Sequence, residues 1–567
     1  MYVTLITYAV AIVLAWPLGQ YLAHIMRGNP MRSDPLFAWI EGPIYRLLGT
    51  DPQQSMTVRH YIGAFLISNA VIGGLVFGIF MLQAWLPLNP NHVVNMRWDT
   101  ALHTMVSFLT NTDQQHYSGQ SQLSYFSQMT GVVGLQFISP MMGLALVVAT
   151  LRALFADNAP PPATQSVASI TINVGNYWAD VIRPSIRFLL PLCLLLTVVL
   201  GSQGVPSTLR ANVMAKPLDQ HAGLSHQQIP LGPVAAMVAV KQLGTNGGGW
   251  YGPNSAMAFE NPTPLTNAVE SIAILLIPLA VVLMLGRLCS DGKRLIALVF
   301  GSMLIMSSIS TALMLWTEQH GIAPQALMEG KEVRIGAPAS ALWAALTTQT
   351  SNGSVNTMHD SLAPLSGLIA MINMLINAIW GGIGCGLQQF IVYLILTVFL
   401  AGLMTGRTPE IFGRKIQVRE VQYLALLILL QPIVVLGMTA LTLSFPELAA
   451  NSNPGFHGIS QVFYEYASAF SNNGSGFEGL NDSSYWWNLT CTAVLILGRY
   501  PALILPLLLT AGLAAKPRTP TSTGTLQIQT PTFALTLIGV IVILTVLQFM
   551  PAVVIGPIAE HLAFTAS

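Results

Sequence analysis

Charged residues are scarce in this chain of 567 residues. Only 8% of the residues are charged, whereas 53% are hydrophobic. An ordinary soluble domain has about 25% charged residues, and so few charges could not cover the surface of a soluble fold of this size. The composition therefore excludes a soluble globular protein and predicts a protein of the lipid bilayer.

Cysteine patterns and a charge bias are also lacking. The four cysteines lie far apart, without a CxxC pair or a Cys/His cluster, so neither a disulfide framework nor a zinc site is predicted. The net charge of +1 gives no sign of a nucleic-acid partner, and no cofactor is expected. Because no Lys or Arg precedes Arg27, the first apolar stretch lacks the basic region of a cleaved signal peptide and is expected to stay in the mature protein.

Ten segments are apolar and long enough to cross a bilayer, which takes about 20 mostly apolar residues. The seventh is too long for one helix, and its middle, Gly381-Gly382-Ile383-Gly384-Cys385-Gly386, is predicted to break it. An all-α polytopic membrane protein is therefore expected. The ten segments lie at about 3–25, 61–86, 129–154, 187–203, 266–288, 294–317, 363–405, 421–444, 488–513 and 531–556.

The loops on the two sides of these segments differ in positive charge, and positive loops usually stay in the cytoplasm. One set of alternate loops contains 16 Lys and Arg residues, and the other set contains 6. The positive set is therefore expected in the cytoplasm, and both termini on the periplasmic or external side of a bacterial inner membrane. The positive loops are 26–60, 152–187, 287–294, 406–420 and 514–530, and the others are 87–128, 204–265, 318–362 and 445–487.

The four less positive loops share a pattern. Each contains about a dozen moderately apolar residues, too few to span the membrane, followed by a small polar triplet with Asn at its centre. The half-length helices are predicted at 98–109, 232–243, 338–349 and 458–471. The triplets are Thr110-Asn111-Thr112, Thr245-Asn246-Gly247, Ser351-Asn352-Gly353 and Asn472-Asn473-Gly474.

The order of span, half-length helix, polar loop and span recurs four times, which is typical of a repeat architecture whose sequence identity has decayed. We expect four degenerate repeats around one central pore, with two flanking helices. The predicted units are 1–60 (flanking span and cytoplasmic loop), 61–155, 156–289, 290–405 and 406–513 (repeats 1 to 4), and 514–567 (flanking last span).

This pattern is typical of a cation pore. Short re-entrant segments survive at membrane depth only where protein or a watery cavity surrounds them, and rings of backbone carbonyls can replace the hydration shell of a cation. Neutral Thr, Ser and Asn side chains suit a monovalent ion. A single triplet of this kind is usually a turn, but four in equivalent loops favour a selectivity filter. Asp113 and Glu478, just beyond two triplets, are expected to draw cations to the entrance.

Three other charges have alternative interpretations. Arg499 lies inside the ninth apolar segment, where it has either a pore-side or subunit-interface role or a structural partner. Arg407 is either a cytoplasmic topology charge or a charge below the pore that repels cations until a gate moves. Lys241, in the second half-length helix, is more often a structural pair or a snorkelling charge than a residue of an ion path.

Stretches along nearly the whole chain resemble the potassium-binding, channel-like subunits of bacterial Kdp-type potassium-transporting ATPases. These stretches are Phe126-Ser127-Gln128-Met129, Leu243-Gly244-Thr245-Asn246-Gly247-Gly248-Gly249, Glu260-Asn261-Pro262-Thr263, Met328-Glu329-Gly330-Lys331-Glu332, Met358-His359-Asp360-Ser361, Gly406-Arg407-Thr408-Pro409-Glu410 and Asn472-Asn473-Gly474-Ser475.

The resemblance implies a fold related to fourfold potassium channel-like transporters, and a complex with a separate P-type ATPase subunit and small single-span accessory subunits. It implies that potassium is selected from the outer side and then passes sideways toward the ATPase subunit. The break at Gly381, Gly382, Gly384 and Gly386 is similar to the family's gating loop. Asn352 stands where relatives often have Cys, and Asn377 where they can have an acidic residue. These two departures from the family pattern concern selectivity and gating.

Two other functions compete with this one. A stand-alone potassium channel or symporter of the same superfamily would share the repeats but not the flanking spans or the full-length resemblance. A membrane-embedded enzyme would need intramembrane cofactor ligands or proton-relay residues, in which the predicted spans are poor. The sequence has neither the Asp-Lys-Thr-Gly-Thr phosphorylation motif nor a Walker motif, so the chain itself is not expected to hydrolyse ATP.

Overall fold

The computed structural model describes residues 2–156, 172–219, 223–288, 292–321, 326–519 and 526–566. Within these residues, ten helices are long and apolar enough to cross a membrane, which confirms the predicted number of spans. In chain order, spans 1 to 10 are Tyr2–Arg27, Val58–Trp85, Ser127–Leu154, Tyr177–Ser202, Pro264–Leu288, Arg294–His320, Cys385–Met404, Val418–Leu443, Tyr485–Ala514 and Pro531–Thr565.

Four half-length helices lie between the spans where the sequence predicts them. Half-helices 1 to 4 are Trp98–Leu109, Val234–Leu243, Ala337–Gln349 and Phe456–Ser471, each within two residues of its predicted bounds. Each begins and ends between two spans, so the chain enters and leaves on the same face of the molecule. Both termini lie on that face too, because an even number of spans separates each half-helix from either end of the chain.

The long seventh segment is broken, as the sequence predicts. Its first part, Pro364–Ile376, ends at Asn377, which caps the helix in the left-handed conformation (φ 45°). The next helix, span 7, begins at Cys385, so the break covers residues 377–384 and starts earlier than the glycine run. Gly386 belongs to the first turn of the following helix, where its backbone packs against Trp380 and Gly381.

The remaining elements are short. A helix after span 1 (Asp34–Leu47) is tied to span 4 by ion pairs from Arg187 to Asp34 and Glu41. Two small antiparallel sheets complete the described chain. The short helices are Gly119–Gln122 and Pro446–Ala449, and the strands are Val213–Ala215 paired with Gln227–Ile229 and Glu410–Ile411 paired with Arg414–Lys415. Span 10 is kinked at Gly556, and the part beyond the kink is the C-terminal helix, Ala559–Ala566.

Burial separates inner from outer spans. In spans 3 and 5, 83% of the most apolar stretch of 18 residues is buried, whereas this fraction is 22% in span 1 and 28% in spans 8 and 10. A helix that is apolar all round but buried on one side only needs lipid on the other. The protein is therefore a multi-pass membrane protein with spans 3 and 5 at its centre and spans 1, 8 and 10 at its rim.

A charged contact fastens the C-terminal helix to half-helix 4. His457, next to the start of half-helix 4, lies 2.9 Å from Asp360 and 2.8 Å from Glu560. Burial lowers the pKa of His457, but the hydrogen bonds to the two carboxylates have the larger effect and raise this pKa to about 9. The imidazole is therefore protonated at neutral pH, and both contacts are ion pairs.

Candidate functional site

The four half-helices end directly before loops with one common backbone conformation. We define loops 1 to 4 as residues 110–115, 244–249, 350–355 and 472–476. In every loop two residues separated by one have a positive φ: Asn111 and Asp113, Thr245 and Gly247, Ser351 and Gly353, Asn472 and Gly474. The residue between them donates its N–H to the carbonyl five residues earlier, at 3.0–3.1 Å, in the pairs Thr112–Ser107, Asn246–Lys241, Asn352–Thr347 and Asn473–Ser468.

This common conformation sets the register of the repeats. Loops 2, 3 and 4 agree with the predicted triplets. In loop 1, however, the residues with the equivalent backbone conformation are Asn111, Thr112 and Asp113. The predicted triplet, Thr110-Asn111-Thr112, begins one residue earlier, because it is aligned by its central Asn. The sequence contains a signal for this offset, since one residue separates helix and triplet in loops 2 and 3, and Thr110 occupies that place in loop 1. Asp113 thus stands where the other loops have glycine.

Side-chain amides connect each loop to its neighbour. Asn352 Nδ2 donates to the Lys241 carbonyl (3.1 Å) and Asn473 Nδ2 to the Thr347 carbonyl (2.9 Å). The remaining junctions are closed by Asn246 Nδ2 to Asn111 Oδ1 (2.8 Å) and by Asn472 Nδ2 to Thr112 Oγ1 (3.0 Å). The four loops therefore form a closed ring in the order 1-2-3-4, and the Asn side chains act as braces between loops.

Three glycines allow the loops to approach this closely. A β-carbon at Gly247, Gly353 or Gly474 would overlap the carbonyl oxygen of the central residue in the next loop: Asn352, Asn473 and Thr112, respectively. All three glycines also have positive φ values, between 81° and 99°, which L-residues rarely adopt. Glycine is thus required here for both space and backbone conformation.

The carbonyl oxygens of the four central residues have no donor. Among the described residues, which include all four loops, no N–H or O–H group donates to the carbonyls of Thr112, Asn246, Asn352 and Asn473. All four residues are buried, and a buried carbonyl without a partner is costly. The C-terminal, negative ends of the half-helices precede these loops. The ring is therefore suited to a desolvated cation.

A buried ion pair is connected to loop 2 through Asn254. Lys241 and Glu260 are both 0% exposed and form a salt bridge. Lys241 Nζ also donates to Asn254 Oδ1 at 2.6 Å, and Asn254 Nδ2 donates to the Gly247 carbonyl at 2.7 Å. Lys241 is thus a structural pair, as the sequence favours, but one that is linked directly to the ring.

A second buried network supports loop 1. His116 Nδ1 lies 2.8 Å from Asn488 Oδ1, and His116 Nε2 lies 3.3 Å from Glu465 Oε1. Burial lowers the pKa of His116, but Asp482 and the hydrogen bonds to Glu465 and Asn488 raise it above its ordinary value, which favours an imidazole that donates from both nitrogens. The potential ligand atoms of His116, Glu465 and Cys491 lie within 4.8 Å of one another, a grouping that no spacing in the sequence indicates. These hydrogen bonds occupy both His116 nitrogens, so the group acts as a brace.

The break in the seventh segment lies against the first residues of the triplets. The N–H groups of Trp380 and Gly381 donate to the Gln349 carbonyl (3.1 and 2.9 Å), and Ile383 N–H donates to Thr245 Oγ1 (3.2 Å). Asn377 Oδ1 accepts from Ser351 Oγ at 2.8 Å. Segment 377–384 therefore packs against the beginnings of loops 2 and 3.

The remaining gating candidates lie in different places. The backbone at Gly384 packs against the backbone of Gly143, and Gly382 lies near Thr245 and Ser351. Arg499 is buried and donates to the sulfur of Cys385, directly after the break. The structure places Arg407 in an exposed turn beyond the end of span 7, the position expected of a topology charge.

The free cysteines among the described residues are Cys193, Cys385 and Cys491, all buried. Cys289 lies outside the described residues.

A model of the family described as "Potassium-transporting ATPase A subunit" matches residues 5–562. The chain belongs to this family. Its relatives include the "Potassium-transporting ATPase potassium-binding subunit" of Gloeobacter violaceus, 42% identical over 561 residues (96% of this chain and 95% of the relative). The subunit of the same name from Pseudomonas putida is 41% identical over 571 residues (99% and 98%). The resemblance found in the sequence is confirmed.

The fold has a counterpart among solved structures. The potassium transporter TrkH from Vibrio parahaemolyticus superposes with a TM-score of 0.52 at 14% sequence identity, covering 88% of this chain and 97% of that one. At such low identity the likeness concerns the fold alone. The all-α polytopic fold predicted from the sequence is confirmed.

Proposed function

We propose that this chain is the potassium-binding and translocating subunit of an ATP-driven potassium uptake complex. It selects K⁺ in the ring formed by loops 1 to 4 and passes it to a separate ATPase subunit. The observation that carries the proposal is the set of four buried carbonyls, one from each loop, without a hydrogen-bond donor. Such carbonyls can replace the hydration shell of a monovalent cation. The names of the relatives agree with this function.

In this proposal the filter consists of Thr110, Asn111 and Thr112 with Asp113, together with the other three triplets. The central residues supply carbonyl oxygens, and their side chains hold the ring closed. Segment 377–384, which includes Gly381, Gly382 and Gly384, blocks direct passage beyond the ring, and Gly386 and Arg499 hold it in place. The ion must then leave sideways, in agreement with a function in which a partner subunit completes transport.

The division of labour between subunits gives a direct test. The isolated chain should bind K⁺ but show no ATP turnover, because it lacks a phosphorylation motif and a Walker motif. The complex with its P-type ATPase subunit and small single-span subunits should show turnover that K⁺ stimulates. Native purification followed by ATPase assays across K⁺ concentrations measures both. Hydrolysis by the rigorously purified single chain, or K⁺ flux through it without any partner, would contradict the proposal.

The proposed location is the bacterial inner membrane, with loops 1 to 4 and both termini facing the periplasm. A cysteine added after Ser567 should react with a membrane-impermeant thiol reagent in intact cells. The natural Cys289, in the positive loop 287–294, should react only after permeabilisation and is the internal control. Labelling in the opposite order would reverse the topology.

A further inference from the structure

Three buried oxygen atoms beside the ring have no hydrogen-bond donor. They are Asp113 Oδ1 in loop 1, Asn246 Oδ1 in loop 2 and Gln136 Oε1 in span 3, and the three residues are at most 3% exposed. Gln136 Nε2 donates to Asp113 Oδ2 at 2.6 Å and to the Gly248 carbonyl at 2.9 Å. Asn246 Nδ2 donates to Asn111 Oδ1 in loop 1 at 2.8 Å. Unpaired acceptors, one of them on a carboxylate, are thus concentrated at the junction of loops 1 and 2.

In loops 3 and 4 the side-chain oxygen of the central Asn is paired. It accepts the N–H of the serine two residues later: Ser354 to Asn352 (3.0 Å) and Ser475 to Asn473 (3.1 Å). In loop 2 the corresponding N–H, that of Gly248, donates to Asp113 Oδ2 instead (3.1 Å). The Asp113 carboxylate accepts this N–H in place of Asn246 Oδ1, which is left without a donor.

The charge around this junction is also unbalanced. Asp113, Glu260 and Glu270 are buried behind or beside loops 1 and 2, and Lys241 is the buried cation next to them among the described residues. Lys241 is already paired with Glu260. Burial raises the pKa of Asp113 well above its ordinary range, although the hydrogen bonds from Gln136 and Gly248 oppose this shift. The charged carboxylate is therefore costly here when no cation is bound, and a cation beside Asp113 Oδ1 would stabilise the charged form.

We propose that Asp113 creates a second cation-binding position beside the carbonyl ring, in which Asp113 Oδ1 and the free amide oxygens of Asn246 and Gln136 bind a monovalent cation, K⁺ in the working protein. Oxygen ligands suit hard cations, and a single carboxylate suits a single positive charge. The inference rests on the proposed function, since this position would be the first to receive an ion that is about to enter the ring. It makes one of the four repeats chemically different from the others.

Asp113→Asn isolates the charge from the structure. The asparagine oxygen can still accept the Gly248 and Gln136 hydrogen bonds, whereas its NH₂ group supplies a donor where the cation would lie. We expect the full chain in its complex to bind one rubidium ion fewer per chain than the wild type in equilibrium binding. The apparent K⁺ affinity of ATPase turnover should fall about tenfold, while discrimination against Na⁺ by the intact ring should persist.

Two further variants keep the outcomes separate. Glu447→Gln removes an exposed carboxylate from the short helix Pro446–Ala449, and it should change neither the stoichiometry nor the K⁺ affinity by more than about twofold. Gly353→Ala disturbs the ring but should leave the Asp113 ion bound.

The inference fails if Asp113→Asn binds as many ions as the wild type with the same affinity, or if Glu447→Gln loses as much. It also fails if Mg²⁺ or Ca²⁺, and not a monovalent ion, occupies the position. If instead the wild-type chain binds rubidium only at the Asp113 position, and Gly353→Ala changes nothing, the proposed function of the ring is what fails.

Discussion

Replacing Gly353 by alanine or valine is expected to lower the apparent K⁺ affinity by at least about tenfold. Its φ is 81°, and a β-carbon would overlap the Asn473 carbonyl oxygen, so the substitution both strains loop 3 and displaces one of the four carbonyls. A non-glycine residue in such a conformation costs about 1–3 kcal/mol, and about 1.4 kcal/mol of lost binding is a tenfold change in affinity. Discrimination against Na⁺ should weaken as well, because the carbonyls no longer match the dehydrated ion.

Gly336→Ala is the matched control. Gly336 has almost the same φ, 80°, but no atom lies within 4 Å of its β-carbon position, and it precedes half-helix 3 instead of lining the ring. Its substitution should strain the backbone similarly and leave K⁺ affinity unchanged. The measurement is K⁺-dependent ATPase activity of the complex, with assembly checked by pull-down. Unchanged affinity and selectivity in variants of Gly247, Gly353 and Gly474 would show that these loops are turns and not a filter.

Lys241→Met is expected to destabilise the protein by about 3–5 kcal/mol, the usual cost of removing one partner of a buried ion pair. Glu260 would remain as an uncompensated buried charge, and Asn254 would lose the contact that orients it toward the Gly247 carbonyl. Both the thermal unfolding midpoint in detergent micelles and the K⁺ affinity should therefore fall. The double variant Lys241→Met/Glu260→Gln should recover part of the stability, because no buried charge is left alone.

An exposed ion pair supplies the comparison. Glu332 lies 4.0 Å from Arg334, and 48% of its side chain is exposed. Glu332→Gln should change stability by less than about 1 kcal/mol, as is usual for surface pairs. A Lys241→Met variant with the unfolding midpoint of the wild type would contradict the structural role assigned to the pair, and a double variant less stable than the single one would contradict its electrostatic origin.

The architecture could be predicted from the sequence because the bilayer leaves few alternatives. An apolar run of about 20 residues must be a spanning helix, and a shorter run between two spans must be re-entrant or buried. The ten spans, the four half-helices and the break in the seventh segment were therefore predicted. Most bounds agree to within three residues, but span 4 begins ten residues earlier and span 10 ends nine residues later than the sequence predicts. The beginning of that break was less accurate, since Asn377 ends the helix by adopting the left-handed conformation before the first glycine.

The details of the candidate site could not be predicted in the same way. Alignment by the central Asn placed Asn111 opposite Asn246, whereas the backbone places Thr112 there. The Asn side chains, which the pattern made prominent, brace neighbouring loops instead of facing the ion. The contacts that assign these roles join residues more than a hundred positions apart, such as Asn352 and Lys241, and no local spacing encodes them.

The sequence by itself determined that this is a membrane protein with four helix–loop repeats, because composition and the length of apolar runs can be read along the chain. It also determined membership of the potassium-transporting ATPase A subunit family, because the similarity extends over nearly the whole chain. Only the tertiary structure decided which atoms face one another. Ring closure, the pairing of Lys241 with Glu260 and the free oxygen of Asp113 depend on loops from four repeats meeting at one axis. The energy of a buried polar atom is set by the neighbours that the fold supplies.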